Sequence, residues 1–109
     1  MKKLNWTERE FQAYVLLYAA HCNHFESVEE EAYIQSKVDI KTFHRIHTEV
    51  VVDSEKENLN KIQQYISENK LTQEQKESLL KDIKNVFFAD GSVDVIERKV
   101  FSVLKKIID

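Results

Sequence analysis

One glycine and no proline in 109 residues leave this chain almost without backbone punctuation. Proline breaks helices, because it lacks an N–H and clashes with the preceding turn; glycine takes positive φ at little cost. A chain without them marks its helix boundaries with side-chain caps instead. The lone glycine, Gly91, stands in Ala89-Asp90-Gly91-Ser92-Val93-Asp94-Val95-Ile96-Glu97, an acidic stretch between two helical patterns. No segment alternates apolar and polar residues over a useful length, which argues against a sheet.

Capping boxes recur along the chain. A Ser, Thr or Asp side chain accepts from a first-turn N–H, and an acid or amide three residues on reaches back. Thr7/Glu10, Ser27/Glu30, Ser54/Glu57, Thr72/Gln75 and Asp94/Glu97 fit this pattern, and Trp6 and Phe11 add a hydrophobic staple to the first. The spacing predicts helices over about Glu8–Asn23, Val28–Lys37, Ile40–Val50 (capped by Asp39), Glu55–Asn69, Gln73–Ala89 and Val95–Ile108. The first is apolar nearly all round, as expected of a central helix packed by several neighbours. Inward faces are expected from Val28, Ala32 and Ile34; from Ile40, Phe43, Ile46, His47 and Val50; from Leu59, Ile62 and Ile66; from Leu79, Leu80, Ile83, Val86 and Phe87; and from Ile96, Val100, Val103, Leu104 and Ile107.

The expected fold class is all-α, a compact bundle of about six helices forming a single domain over residues 1–109. The same offset separates Ser27 from Asp94 and Glu30 from Glu97, so the first and last helix pairs read as copies of one helix–acidic turn–helix unit. A duplicated pair commonly packs about a pseudo-two-fold axis, which would bring its two turns together.

Apolar residues at 42% and charged residues at 32% suit a globular chain. A net charge of −3 lacks the basic footprint that nucleic acid requires. Cys22 is the lone cysteine and excludes an internal disulfide. Glu8, Arg9 and Glu10 interrupt the apolar stretch a signal peptide would need after Met1-Lys2-Lys3, and the run from Ala13 to Ala20 is too short to span a bilayer. The expected location is the cytoplasm, with no membrane insertion.

Asp90 to Glu97 matches the second half of an EF-hand loop, with Asp94 at its ninth position and Glu97 at its bidentate twelfth. Its first half fails, since Val86 and Phe88 would occupy ligand positions. Asp90, Asp94 and Glu97 are therefore candidate ligands for a divalent cation, the one candidate cofactor of this chain. A structural reading explains most of the same residues: Asp94 and Glu97 form a cap and Gly91 is the turn residue that ends a helix, which leaves only Asp90 over. A composite surface sharing Asn23, Glu26 and Glu30 from the other turn would favour ligand binding.

A helix ending in Ala89-Asp90-Gly91, followed by Val93, Asp94, Glu97 and Arg98 and preceded by Phe87 and Phe88, resembles the TerB tellurite-resistance family. The same domain stands at the N-terminus of DjlA-type membrane co-chaperones. The resemblance implies a bacterial all-α domain with acidic residues clustered where two loops meet, associated with tellurite and other stress responses. It implies proposed metal binding and a scaffold or interaction role with a protein partner, and it establishes no catalytic activity. The chain departs from the family where relatives often repeat the Ala-Asp-Gly turn: Cys22-Asn23-His24-Phe25-Glu26 stands there.

Other chemistry is sparse. His21/His24 and His44/His47 each share a helix face and, with Cys22, are raw material for zinc, but nothing ties the pairs into a four-ligand set. Di-iron chemistry needs Glu-x-x-His pairs, and none of the histidines has Glu three residues before it. Glu26, Glu29, Glu30 and Glu31 read as a solvated face at a helix start, where negative charge is favoured. The chain is expected not to be an enzyme. Its expected contact surface is Asn23, Glu26, Glu30 and Asp90.

Overall fold

Each helix starts at or beside its expected cap. The structure is a computed structural model that describes residues 6–21, 28–88 and 95–108, with side chains from residue 98 onward in the last stretch. It contains α1 (Glu8–His21), α2 (Val28–Lys37), α3 (Ile40–Val52), α4 (Glu55–Asn69), α5 (Gln73–Phe88) and α6 (Val95–Ile108). Thr7 and Glu10 exchange both capping bonds, at 2.8 and 3.1 Å. Ser54 with Glu57 and Thr72 with Gln75 do the same. Asp39 accepts from the Thr42 N–H at 3.3 Å. Each cap contributes about 1 kcal/mol to its helix. The Trp6 and Phe11 rings pack with centroids 6.5 Å apart, as the staple requires. The boxes starting at Ser27 and Asp94 lie outside the described residues.

α1 is the axis of the bundle. Phe11 and every residue from Ala13 to Ala20 are buried, and α1 packs against all the other helices. Its small residues Ala13, Ala19 and Ala20 let neighbours approach on several sides, which is why a helix without a polar face is tolerated here.

The packing of the described helices is compatible with the repeat read from the sequence. Gln75 Nε2 donates to Glu8 Oε1 across 67 residues, the offset that relates the two helix pairs in the sequence. Further along, Gln12 Nε2 donates to Asp82 Oδ2 at 2.7 Å, so α1 and α5 run in the same direction. At that offset Leu16 matches Ile83, Ala19 matches Val86 and Ala20 matches Phe87, and all six are buried. α2 packs on α1 and α5, and α6 packs on α5 and α1, the reciprocal arrangement of a pseudo-two-fold. The inserted pair covers the rest of α1: α3 also reaches α2, and α4 also reaches α6. The result has a radius of gyration of 12.8 Å, close to the roughly 13 Å of a compact domain this size. No described helix is long and apolar enough to cross a membrane.

Several inward faces differ from expectation. Val28 is 80% exposed, Ile40 58% and Val103 43%, and Ala32 also faces out. α2 instead buries Glu30 and Ile34, and Val38 just after it is buried too. It lies against both α1 and α5, and this seating turns Tyr33 toward α5 and leaves Val28 outside. On α4 and α5, Asn58, Tyr65 and Asp82 are buried alongside the aliphatic residues. The α4–α5 connection closes without glycine: Lys70 takes the left-handed conformation at φ 35°, and its N–H bonds the Ile66 carbonyl at 3.2 Å.

Candidate functional site

The described helices fix where the two acidic segments attach. Tyr33 donates to Asp82 Oδ1 at 3.0 Å, Asn85 Nδ2 donates to the Tyr33 hydroxyl at 2.9 Å, and Lys37 approaches Asp82 at 3.6 Å. As α2 advances, its partners recede along α5, so the two helices are antiparallel. Val28, which opens α2, is therefore level with Phe88, which closes α5. α1 ends at the same level, because it runs parallel to α5. Segments 22–27 and 89–94 thus begin or end at one end of the bundle. That end presents Val28 and Phe88, 80% and 59% exposed, beside the exposed Glu29.

Of the residues singled out in the sequence, Asn23, Glu26, Asp90, Gly91 and Asp94 lie outside the described residues. Glu97 belongs to the first turn of α6, and its side chain is likewise outside them. Glu30 requires a correction. Its side chain is fully buried, so it presents no carboxylate to a partner on an open surface. The cause is the seating of α2, which places position 30 on the same inward stripe as Ile34 and Val38. Glu29 and not Glu30 is the exposed acid of that first turn.

Two polar networks behind this surface escaped the sequence reading. In the first, Asp82 is only 6% exposed and gathers Gln12, Tyr33 and Lys37 from α1 and α2. Burial is the main effect that pushes the Tyr33 hydroxyl above its ordinary value, and the Asp82 carboxylate adds to it. In the second, the Tyr14 hydroxyl donates to Asp53 Oδ2 at 2.7 Å and accepts from Asn58 Nδ2 at 2.7 Å. Lys61 Nζ bridges Asp53 and Glu49, at 2.7 and 2.9 Å. Burial pushes Tyr14 far up. Burial also opposes the Lys61 ammonium, but its bonds to Asp53 and Glu49 outweigh that and hold it above its usual range. Tyrosine and lysine that keep their protons this firmly are poor bases and poor nucleophiles. The networks lock α1 to α5 and α2, and α1 to the α3–α4 corner.

A signal for both was present. Asp82 falls within the stripe Leu79, Ile83, Val86, and Asn58 falls one turn before Ile62, so each is a polar residue on an apolar face. Such positions are occupied only when hydrogen bonds compensate.

The histidines do not converge. His44 is exposed and His47 half-buried, both against the Phe43 ring with centroids 5.5 and 5.6 Å away. His21 is exposed at the end of α1, and Cys22 and His24 lie outside the described residues. Among the described residues, no three His, Cys, Asp or Glu side chains gather as a cation site.

Comparison with models of known protein families, with characterised proteins and with solved structures gives no match to this chain.

Proposed function

We propose that this chain is a TerB-like, non-enzymatic interaction domain of a bacterial stress response, acting in the cytoplasm. It engages a protein partner through the bundle end where segments 22–27 and 89–94 attach. The observation that carries this reading is the parallel pairing of α1 and α5 at the duplication offset, which brings the helix ends flanking both acidic segments to one level. Exposed Val28 and Phe88 at that level add apolar contact area next to Asn23, Glu26 and Asp90 in sequence. Large exposed apolar side chains with a polar surround are a mark of interaction surfaces. Glu30 supports the surface from beneath as a buried residue.

The test is capture by the immobilised chain from a bacterial lysate. A stoichiometric partner should be retained by the wild type and lost on Glu26→Ala with Asp90→Ala, while helicity measured by circular dichroism stays unchanged. Retained capture by that double variant counts against the surface.

The same convergence favours a second reading, in which Asp90, Asp94 and Glu97 hold a divalent cation. Thermal melts with and without millimolar Ca²⁺, Mg²⁺, Mn²⁺ or Zn²⁺ separate the two. An ion at 100-fold over its Kd adds about 2.7 kcal/mol of stability. The absence of a shift with every ion would eliminate the cation reading and leave the adaptor reading standing.

A further inference from the structure

At the opposite end of the α1–α5 pair lies a half-open cleft of about 490 Å³, between the first turns of these helices. That volume falls within the roughly 300–1,000 Å³ of small-ligand clefts. Its apolar surface comes from Phe11, Leu71 and Leu79. Phe11 is held rigidly, stacked on Tyr65 with centroids 4.0 Å apart.

The polar groups of the wall decide what fits. Two helix starts normally attract anions through their orphan N–H groups. Here the capping boxes already engage the N–H groups of Thr7, Glu10, Thr72 and Gln75. The wall also carries two carboxylates, Glu8 and Glu74, and no Lys, Arg or His among the described residues. The carboxylates disfavour an anion, and the caps halve the number of N–H groups that could attract one. The side chains of the wall offer a ligand acceptors. The side chains of Glu74 and Ser78 form no hydrogen bond or ion pair with the described residues. Glu8 receives a single bond from Gln75, at 3.4 Å, and Gln12 uses its amide N–H on Asp82, leaving its carbonyl oxygen uncommitted.

We propose that this cleft binds a guanidinium or primary ammonium carried on an aliphatic stem. The cation sits between Glu8 and Glu74, its N–H groups reach Gln12 Oε1 and Ser78 Oγ, and the stem lies on Phe11, Leu71 and Leu79. Guanidinium is the better match, since its several fixed donors meet several separate acceptors. The chemistry is shared by a free amine, such as agmatine or cadaverine, and by an arginine or lysine side chain of a peptide. The site shares no residue with the acidic end of the bundle and does not depend on that reading.

Amide chemical-shift titration of the whole chain tests it, with agmatine, cadaverine and a short peptide bearing one arginine between leucines. Each probe that binds should shift amides of residues 8–12 and 71–79. Glu8→Gln with Glu74→Gln should weaken the strongest probe about tenfold or more, the loss expected of charge-assisted hydrogen bonds. Glu68→Gln, an exposed acid outside the cleft, should leave binding unchanged. Tighter binding of agmatine identifies a free amine as the natural occupant, and tighter binding of the peptide identifies a protein side chain. Either supports the site. No shift in this region at millimolar probe, or shifts that persist in the double variant, would overturn it.

Discussion

Replacing Tyr14 with phenylalanine isolates the network at the α3–α4 corner. The Tyr14 ring is fully buried and phenylalanine fills the same space, so only the hydroxyl is lost. That hydroxyl donates to the Asp53 carboxylate and accepts from Asn58, each at 2.7 Å. A hydrogen bond to a charged group contributes about 1.5–3 kcal/mol and a neutral one about 0.5–1.5. Asp53 keeps Lys61 as a partner, and Asn58 keeps a weaker bond to the Val50 carbonyl at 3.4 Å. The net loss at neutral pH should therefore be about 2 kcal/mol.

The pH dependence gives this value a second test. Burial raises the folded-state pKa of Tyr14 above its ordinary 10.0. The folded protein then holds this proton where the unfolded chain releases it. The stabilisation is complete below pH 10.0 and declines as pH rises above it. The wild type should lose about 1.4 kcal/mol per pH unit there from this group alone, and the variant should not. Tyr33 and Tyr65, also raised by burial, titrate in both proteins and cancel. The two stabilities should thus converge about 1.5 pH units above the ordinary tyrosine value. Urea unfolding followed by circular dichroism, from neutral pH into this range, measures both quantities. A stability gap that stays constant across the alkaline range would refute the reasoning.

Three further substitutions probe other features. Asp82→Ala removes the acceptor of the half-buried Gln12 and Tyr33 and the ion partner of the exposed Lys37, and should cost about 2 kcal/mol in a denaturant melt; a cost near zero would mean the network contributes nothing to folding. Lys70→Gly relieves the Cβ crowding of the left-handed conformation, about 1–2 kcal/mol, against about 0.5–1 kcal/mol of unfolded-chain entropy. Its melting temperature should rise slightly, and a fall would show that the Lys70 side chain contributes more than its conformation costs. Glu10 both caps α1 and pairs with Arg45, whose side chain is 64% exposed. Glu10→Gln, which retains the cap, should change stability by less than about 0.5 kcal/mol, whereas Glu10→Ala should cost about 1 kcal/mol; equal losses in thermal melts would assign the effect to the ion pair.

The helix boundaries were legible because caps are local. Thr7, Asp39, Ser54 and Thr72 each answer to a residue three positions away, so no tertiary information is needed to find them. The central role of α1 was equally plain, since a helix without a polar side has nowhere to lie but inside. The rotation of α2 was not legible. Val28 and Glu30 compete for the inward face, and the outcome depends on Tyr33 reaching Asp82, an interaction across 49 residues. The left-handed Lys70 is illegible for a related reason: glycine marks such a position in a sequence, and a lysine at a helix end does not. Of the candidate contact surface, the sequence identified the acidic segments but not the exposed Val28 and Phe88 beside them. Apolar periodicity assigns such residues inward unless the neighbouring helix is known.

The parallel α1–α5 pair also imposes an order on assembly. Closing a 67-residue separation costs about 1.7 kcal/mol more entropy than closing one of about ten residues. α1, α2 and α3 meet through shorter separations, and α1 cannot remain alone in water. Loop closure alone therefore predicts that these helices form first and that α5 and α6 dock last. By the same logic α5 and α6 release first, and amide hydrogen exchange should show them opening together while α1 and α3 stay protected. The end shared by α1 and α5 would then be the last part of the molecule to be completed, coupling any ligand held there to the closing step of folding.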